Sequence, residues 1–231
     1  MRNLLILSTI VALLLGCGKE EARELKGYKF NKEYALSKDF KTRRLSRNLT
    51  IDMYVMLNAY PKSWTNVISK MGNEKSGEFS LRIKNNKEGQ FYYGNGSSAI
   101  VLQWNPSEVL PLNTWVRLTA VRDLDKTELV LYANGKQVAR KKFKKLPRAE
   151  TSESPIFVSG TNNRGLDATF AEIRIWDKAI STSDITKTAD IIKNPGEDSN
   201  LVGYLLFDNV KNKRVESLTS KQLSLSIKKG K

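Results

Sequence analysis

The chain has 231 residues, with 39 Lys+Arg against 24 Asp+Glu for a formal charge of +15, a single cysteine and no histidine. Without histidine there is no Ser/His/Asp or Cys/His nucleophilic site and no use of the commonest zinc ligand, and one thiol cannot form an internal disulfide. The basic excess favours polyanions as partners: acidic glycans, lipid headgroups or nucleic acid.

Arg2 gives the N-terminus a positive start, and Leu4 to Leu15 is an almost unbroken apolar run. Twelve residues fall short of the roughly 20 needed to cross a bilayer, so the run reads as an export signal. The following Leu14-Leu15-Gly16-Cys17 resembles the lipobox of bacterial lipoproteins. That resemblance implies cleavage before Cys17 and lipid attachment to it. Residues 1–16 are then a signal peptide, 17–26 the lipidated cysteine and a polar tether, and 27–231 one domain in the bacterial cell envelope. Gly18, in place of Asp, favours the outer membrane where a host has two. Loss of Arg2 leaves 38 − 24 = +14. No thiol remains for the exported domain, which must hold itself together by burial; about 200 residues suffice for one core.

Beyond the tether the chain breaks into short runs rich in β-branched and aromatic residues, separated by Gly, Asn, Pro and Lys. Strands are expected over 49–57, 66–71, 78–84, 89–94 and 99–104. In the run 114–123, Trp115, Arg117, Thr119 and Val121 share one face, and Val116, Leu118 and Ala120 the other. Asn134-Gly135 between two strand-like runs predicts a hairpin whose turn has φ > 0 at both residues. Strands over 155–160 and 168–176 follow, then one helix over 181–193 capped by Ser181 or Ser183, with Ile185, Ala189 and Ile192 on its apolar side. "LVGYLLF" and "QLSLSI" close the chain. About a dozen short strands and one short helix indicate an all-β fold, a two-sheet antiparallel jelly-roll sandwich.

Four pieces, in order, resemble the laminin-G-like module of the concanavalin A-like jelly-roll superfamily: "NLTIDMYVML", "NTWVRLTAVRD" with "TELVLYANGKQV", "ATFAEIRIWDKAISTSDI" and "SNLVGYLLFD". The resemblance covers residues 27–210. It implies binding of carbohydrate or protein, often with a structural calcium, and in a smaller set of members glycoside hydrolysis. For calcium, Asp208 or Asp39 with backbone carbonyls are the available ligands, but Ala171 stands where the family has an acid.

The spacing of Glu172, Arg174 and Asp177 resembles the Glu-x-Asp-x-x-Glu strand of the jelly-roll glucanases. Arg174 takes the middle acid's place. A cation there holds Glu172 ionised, opposite to what a general acid needs, so no catalytic residue is assigned. A surface Glu172–Arg174 pair beside a buried Trp176 is expected instead. No Gly-x-Ser-x-Gly elbow and no Gly-rich phosphate loop is present.

Sugar sites stack rings on aromatic faces and add amide and guanidinium hydrogen bonds. Trp115 and Trp176 lie in family-like strands and are expected in the core. Tyr60, Trp64, Tyr93 and Trp104, with Asn162, Asn163 and Arg164 of the "GTNNRG" loop, form the candidate ligand set. The basic stretches 41–47 and 140–148 interleave only Phe143, which makes nucleic acid a poor partner. The reading is a non-catalytic, lipid-anchored module that binds a glycan or glycoprotein. The alternatives are a protein-binding or structural subunit or adhesin, and a divergent glycoside hydrolase.

Overall fold

The structure is a computed structural model that describes residues 25–37, 40, 44–161, 164–187, 192–219 and 223–230. Cys17 and the signal segment lie outside the described residues, as do Asp39, Asn162 and Asn163.

In chain order the strands begin with β1 (Tyr28–Phe30), β2 (Glu33–Ser37), β3 (Leu49–Leu57), β4 (Thr65–Asn73), β5 (Ser76–Lys84), β6 (Glu88–Asn95) and β7 (Ala99–Trp104). The short helix α1 (Pro106–Val109) leads to β8 (Trp115–Asp123), β9 (Glu128–Ala133) and β10 (Lys136–Lys142). Next come β11 (Ile156–Val158), β12 (Gly160–Thr161), β13 (Arg164–Gly165) and β14 (Ala168–Trp176). Helix α2 (Thr182–Lys187) precedes β15 (Leu201–Leu206), β16 (Arg214–Glu216) and β17 (Ser224–Lys229).

Two antiparallel sheets stack into a sandwich. One runs β1-β14-β3-β8-β9-β10, with β15 pairing the other half of β14's edge; the second runs β16-β17-β2-β11-β4-β5-β6-β7. Alternation dictates which side chains meet between them. Leu49, Ile51, Met53, Val55 and Leu57 of β3 point inward at 0–1% exposure, with Val116, Leu118 and Ala120 of β8 and Leu129 and Leu131 of β9. The two-residue hairpin turn is as expected, with φ of 50° at Asn134 and 76° at Gly135.

A bulge sets the face of β14. Phe170 pairs with Val55 and Glu172 with Tyr54, so Ala171 is the extra residue. The insertion turns Glu172, Arg174 and Trp176 to the outer face and returns Ile173 and Ile175 to the core. That outer face is not open. Trp176, Val121, Val130, Tyr132 and Tyr204 pack beneath Ile180, Ile185 and Leu201 as a second, smaller apolar cluster.

Of the helix expected over 181–193, α2 forms Thr182–Lys187 and residues 192–193 are not helical; Ser181 caps it, its Oγ accepting the Asp184 N–H at 3.2 Å. Ala189 lies outside the described residues. A second helix, α1, corrects the expectation of one. Asn105 Oδ1 accepts the Ser107 N–H at 3.3 Å and Pro106 takes the first helical position, where its missing N–H costs nothing.

Two tryptophans also change places relative to expectation. Trp176 is core, but Trp115 at the start of β8 is only half-buried, whereas Trp104 is 6% exposed. The Glu172–Arg174 pair exists, but both side chains are 1% exposed, so it is a buried pair and not a surface one. It belongs to a network on the covered face. Asp52 accepts Arg117 Nε at 3.0 Å, Arg117 Nη2 at 2.9 Å and Thr119 Oγ1 at 2.6 Å, and Arg174 Nη1 lies 3.7 Å from it.

Candidate functional site

The covered face leaves the opposite side, the outer face of the eight-stranded sheet, as the place to look for a site. Among the described residues neither helix packs across β4–β7; this face is only partly open, since its outward Ser69, Ser80 and Tyr92 are buried while Arg82, Gln90 and Gln103 keep some exposure. In β5 the inward residues Phe79, Leu81 and Ile83 alternate with outward Ser80 and Arg82; in β6, inward Phe91 and Tyr93 alternate with outward Gln90 and Tyr92. Register then assembles the surface: Arg82 lies opposite Gln90, Ser80 opposite Tyr92, and Gln90 opposite Gln103 of β7.

Arg82 is the fixed centre of this surface. Its Nε donates to Gln90 Oε1 at 2.8 Å, and its guanidinium carbon lies 4.3 Å from the Tyr92 ring centroid and 4.6 Å from that of Trp64. Such stacking suits a planar, weakly hydrated cation. Beside it, Ser80 Oγ donates to Asn66 Oδ1 at 3.1 Å and Asn66 Nδ2 to Ser69 Oγ at 3.0 Å. Burial raises the Tyr92 phenol above its usual value, with Arg82 opposing the shift.

At the end of these strands Trp64, Gln90, Gln103, Lys87, Glu88 and Trp104 surround a cleft of about 230 Å³. Its floor depends on a glycine. Gly89 sits under the Trp104 ring so closely that a Cβ there would lie 2.5 Å from Cε2 of the indole. Trp104 is almost wholly buried, and its Nε1, closed off from solvent, has no hydrogen-bond partner among the described residues. A buried indole N–H without an acceptor costs free energy and is uncommon in folded proteins.

The cleft offers an aromatic wall, two carboxamides and a lysine. It offers one carboxylate, Glu88, where glycoside hydrolysis usually needs two. The Asn85 hydrogen bond, with help from Lys84, holds the Glu88 carboxyl below its usual value.

Trp64 and Trp104, expected at a ligand site, do converge on this cleft. Arg164 reaches the same region: its Nη1 donates to the Trp64 carbonyl at 3.4 Å. Tyr93 does not join them. It points inward at 0% exposure, donates its hydroxyl to the Pro147 carbonyl at 2.6 Å, and burial pushes its phenol up to about 12. Tyr60 is half-buried and donates to the Leu110 carbonyl at 3.0 Å, away from the cleft residues. Arg82, Gln90 and Gln103 were not among the expected residues. The alternation in "EFSLRIK" and "GQFYYG" carried them, because whatever opposes Leu81 and Phe91 must face outward.

Among the described residues no three His, Cys, Asp or Glu side chains come together as metal ligands. Asp208 lies in the β15–β16 loop, beside a separate open hollow that Asn209 and Arg214 also line.

A family model for the concanavalin A-like lectin/glucanases superfamily matches residues 31–186. The chain belongs to that superfamily. No curated protein matches this concanavalin A-like chain. Among solved structures, it resembles a Bacteroides ovatus protein described as carbohydrate-binding, with 12% identity, a TM-score of 0.65, and coverage of 89% of this chain and 60% of that one. It therefore spans less than two thirds of that protein's length. It also resembles the CBM40 of a Ruminococcus gnavus IT-sialidase bound to α2,3-sialyllactose (12% identity, TM-score 0.54, 72% and 97% coverage). A third is the ligand-binding domain of botulinum neurotoxin serotype D with N-acetylneuraminic acid (15% identity, TM-score 0.55, 70% and 42% coverage). At these identities the shared feature is the fold.

Proposed function

We propose that this concanavalin A-like domain is a non-catalytic carbohydrate-binding module, lipid-anchored through Cys17 in a bacterial envelope, that recognises a glycan or glycoprotein. One observation carries the reading: Trp64, Trp104, Gln90 and Gln103 converge on one cleft. A pyranose face suits the Trp64 ring, and sugar hydroxyls suit the two carboxamides. Carbohydrate ligands in the structures it resembles add support from the same fold. The non-catalytic part rests on two features. Glu172 is buried against Arg174, and Glu88 is the cleft's single carboxylate.

The test is calorimetry of the full-length protein, in detergent, against a glycan panel. Trp64→Ala should weaken the binding found by about tenfold, the equivalent of losing ~1.4 kcal/mol of ring stacking and contact. Gln103→Ala, which removes an exposed carboxamide from the cleft, should weaken it several-fold while leaving the fold intact. A panel with no glycan retained, together with a protein partner whose capture survives Trp64→Ala, would replace this reading with the protein-binding one. Reducing ends released from a polysaccharide, and lost on Glu172→Gln, would overturn the non-catalytic part.

A further inference from the structure

Arg82 has a second partner that the sheet alone does not explain. Its Nη1 and Nη2 both donate to Glu74 Oε1 at 3.2 Å, although Glu74 lies in the β4–β5 turn, eight residues away. On a straight strand Ser76 and Arg82 are roughly 20 Å apart, farther than the two side chains can bridge. The hairpin must therefore curl over the outer face of the sheet.

The irregularities that bend it are visible. Pairing of β4 with β5 shifts at Asn66/Ile68, Lys70/Met71 and Met71/Asn73, and pairing of β5 with β6 shifts between Gly77 and Ser80. Gly94 lets the turn close down, since a Cβ there would lie 2.1 Å from the Lys75 backbone.

The two ends of the ion pair are built differently. Arg82 is held by Gln90 and two rings, and its side chain is 18% exposed; the Glu74 side chain is 70% exposed and bonds through one oxygen. An exposed ion pair of this kind contributes little to stability and exchanges partners readily. A guanidinium fork, in contrast, suits a carboxylate bound through both oxygens.

We propose that Arg82, beside the cleft against its Trp64 and Gln90, is the specificity-determining residue, reading the carboxylate of an acidic sugar. Glu74 is a tethered carboxylate that holds the same position until the sugar displaces it. This inference rests on the glycan-binding reading and adds to it a substrate class, carboxylate-bearing glycans, and a built-in competitor. The chain's charge of +15 acts in the same direction by drawing acidic polymers to the surface.

The experiment compares binding of α2,3-sialyllactose and trigalacturonate with their methyl esters, which remove the charge and keep the rings, and with neutral lactose. In the wild-type protein at least one acid should bind about tenfold or more tightly than its ester. Glu74→Gln should tighten the acid two- to fivefold and leave the ester unchanged, because only the acid competes with Glu74. Arg82→Gln should erase the acid–ester difference, and Arg82→Lys, which keeps the charge without the fork, should restore only part of it; thermal melts check that both variants fold. Neutral lactose bound as well as the acids, or an acid affinity indifferent to Glu74→Gln, overturns the inference and leaves the glycan reading standing. If no glycan binds at all, both fall.

Discussion

Asp52 shows how much of the covered face depends on single side chains. It is 2% exposed and answers two arginines, Arg117 and Arg174, while Glu172 answers the second of them again. Two buried anions thus face two buried cations. Removing Asp52 leaves a net positive charge in a dry site, and breaking a buried pair from one side costs about 3–5 kcal/mol. Asp52→Ala should lower the unfolding free energy by that amount in urea titration, whereas Asp52→Asn, which keeps the shape and one acceptor oxygen, should cost less. A loss below about 1 kcal/mol for the alanine variant would mean that water reaches the site and the network is not buried as drawn. The pairing of Glu172 with Arg174 was readable from their spacing, because i and i+2 share a strand face. Its burial was not readable, because it depends on the segment after β14 folding back so that Ile180, Ile185 and Leu201 cover that face.

At the scale of elements, the strands with strong alternation were legible: β3, β8, the β9–β10 hairpin and β14 all fall where their patterns put them. β1 and β2 were not, since "YKFNKEYALS" interleaves charge with its apolar residues and lacks a turn signal. Helix α1 went unread because Asn105-Pro106 marks a strand end as readily as a helix start. The edge strand β10 carries a different kind of information. One of its sides pairs with β9; the other lies beside β7 without a described ladder, Lys141 Nζ donating to the Val101 carbonyl at 3.1 Å, and the strand displays Lys136, Arg140, Lys141 and Lys142 around a bulge at Val138. Charge and irregularity on a sheet edge keep it from pairing with another copy. Lys136→Thr with Lys142→Thr removes two of these guards and touches no ion pair of the core. The double variant should show a light-scattering mass that climbs with concentration, where the wild type's does not. Equal behaviour of the two proteins would assign the protection to the Val138 bulge alone.

For the whole molecule, the sandwich was legible and the choice of working face was not: both sheets present outward polar residues, and the packing of Ile180, Ile185 and Leu201 over one of them is a tertiary event that no strand pattern encodes. That division bears on the proposed anchor. The ten residues 18–27 between Cys17 and β1 span at most about 35 Å when extended, so a lipid at Cys17 would hold the domain near the membrane without fixing which face looks outward. The charge of +14 on the mature chain would by itself draw the protein to an anionic leaflet, which makes simple co-sedimentation uninformative. Salt separates the two causes. At about 1 M ionic strength the Debye length falls to roughly 3 Å and surface attraction is lost, while an acyl anchor is indifferent. The wild-type protein should therefore stay with membranes through a high-salt wash and partition into a detergent phase. Cys17→Ser should be released by the same wash and remain aqueous. Release of the wild type by salt would show that charge alone holds it, and would remove the lipid from the proposal while leaving the cleft untouched.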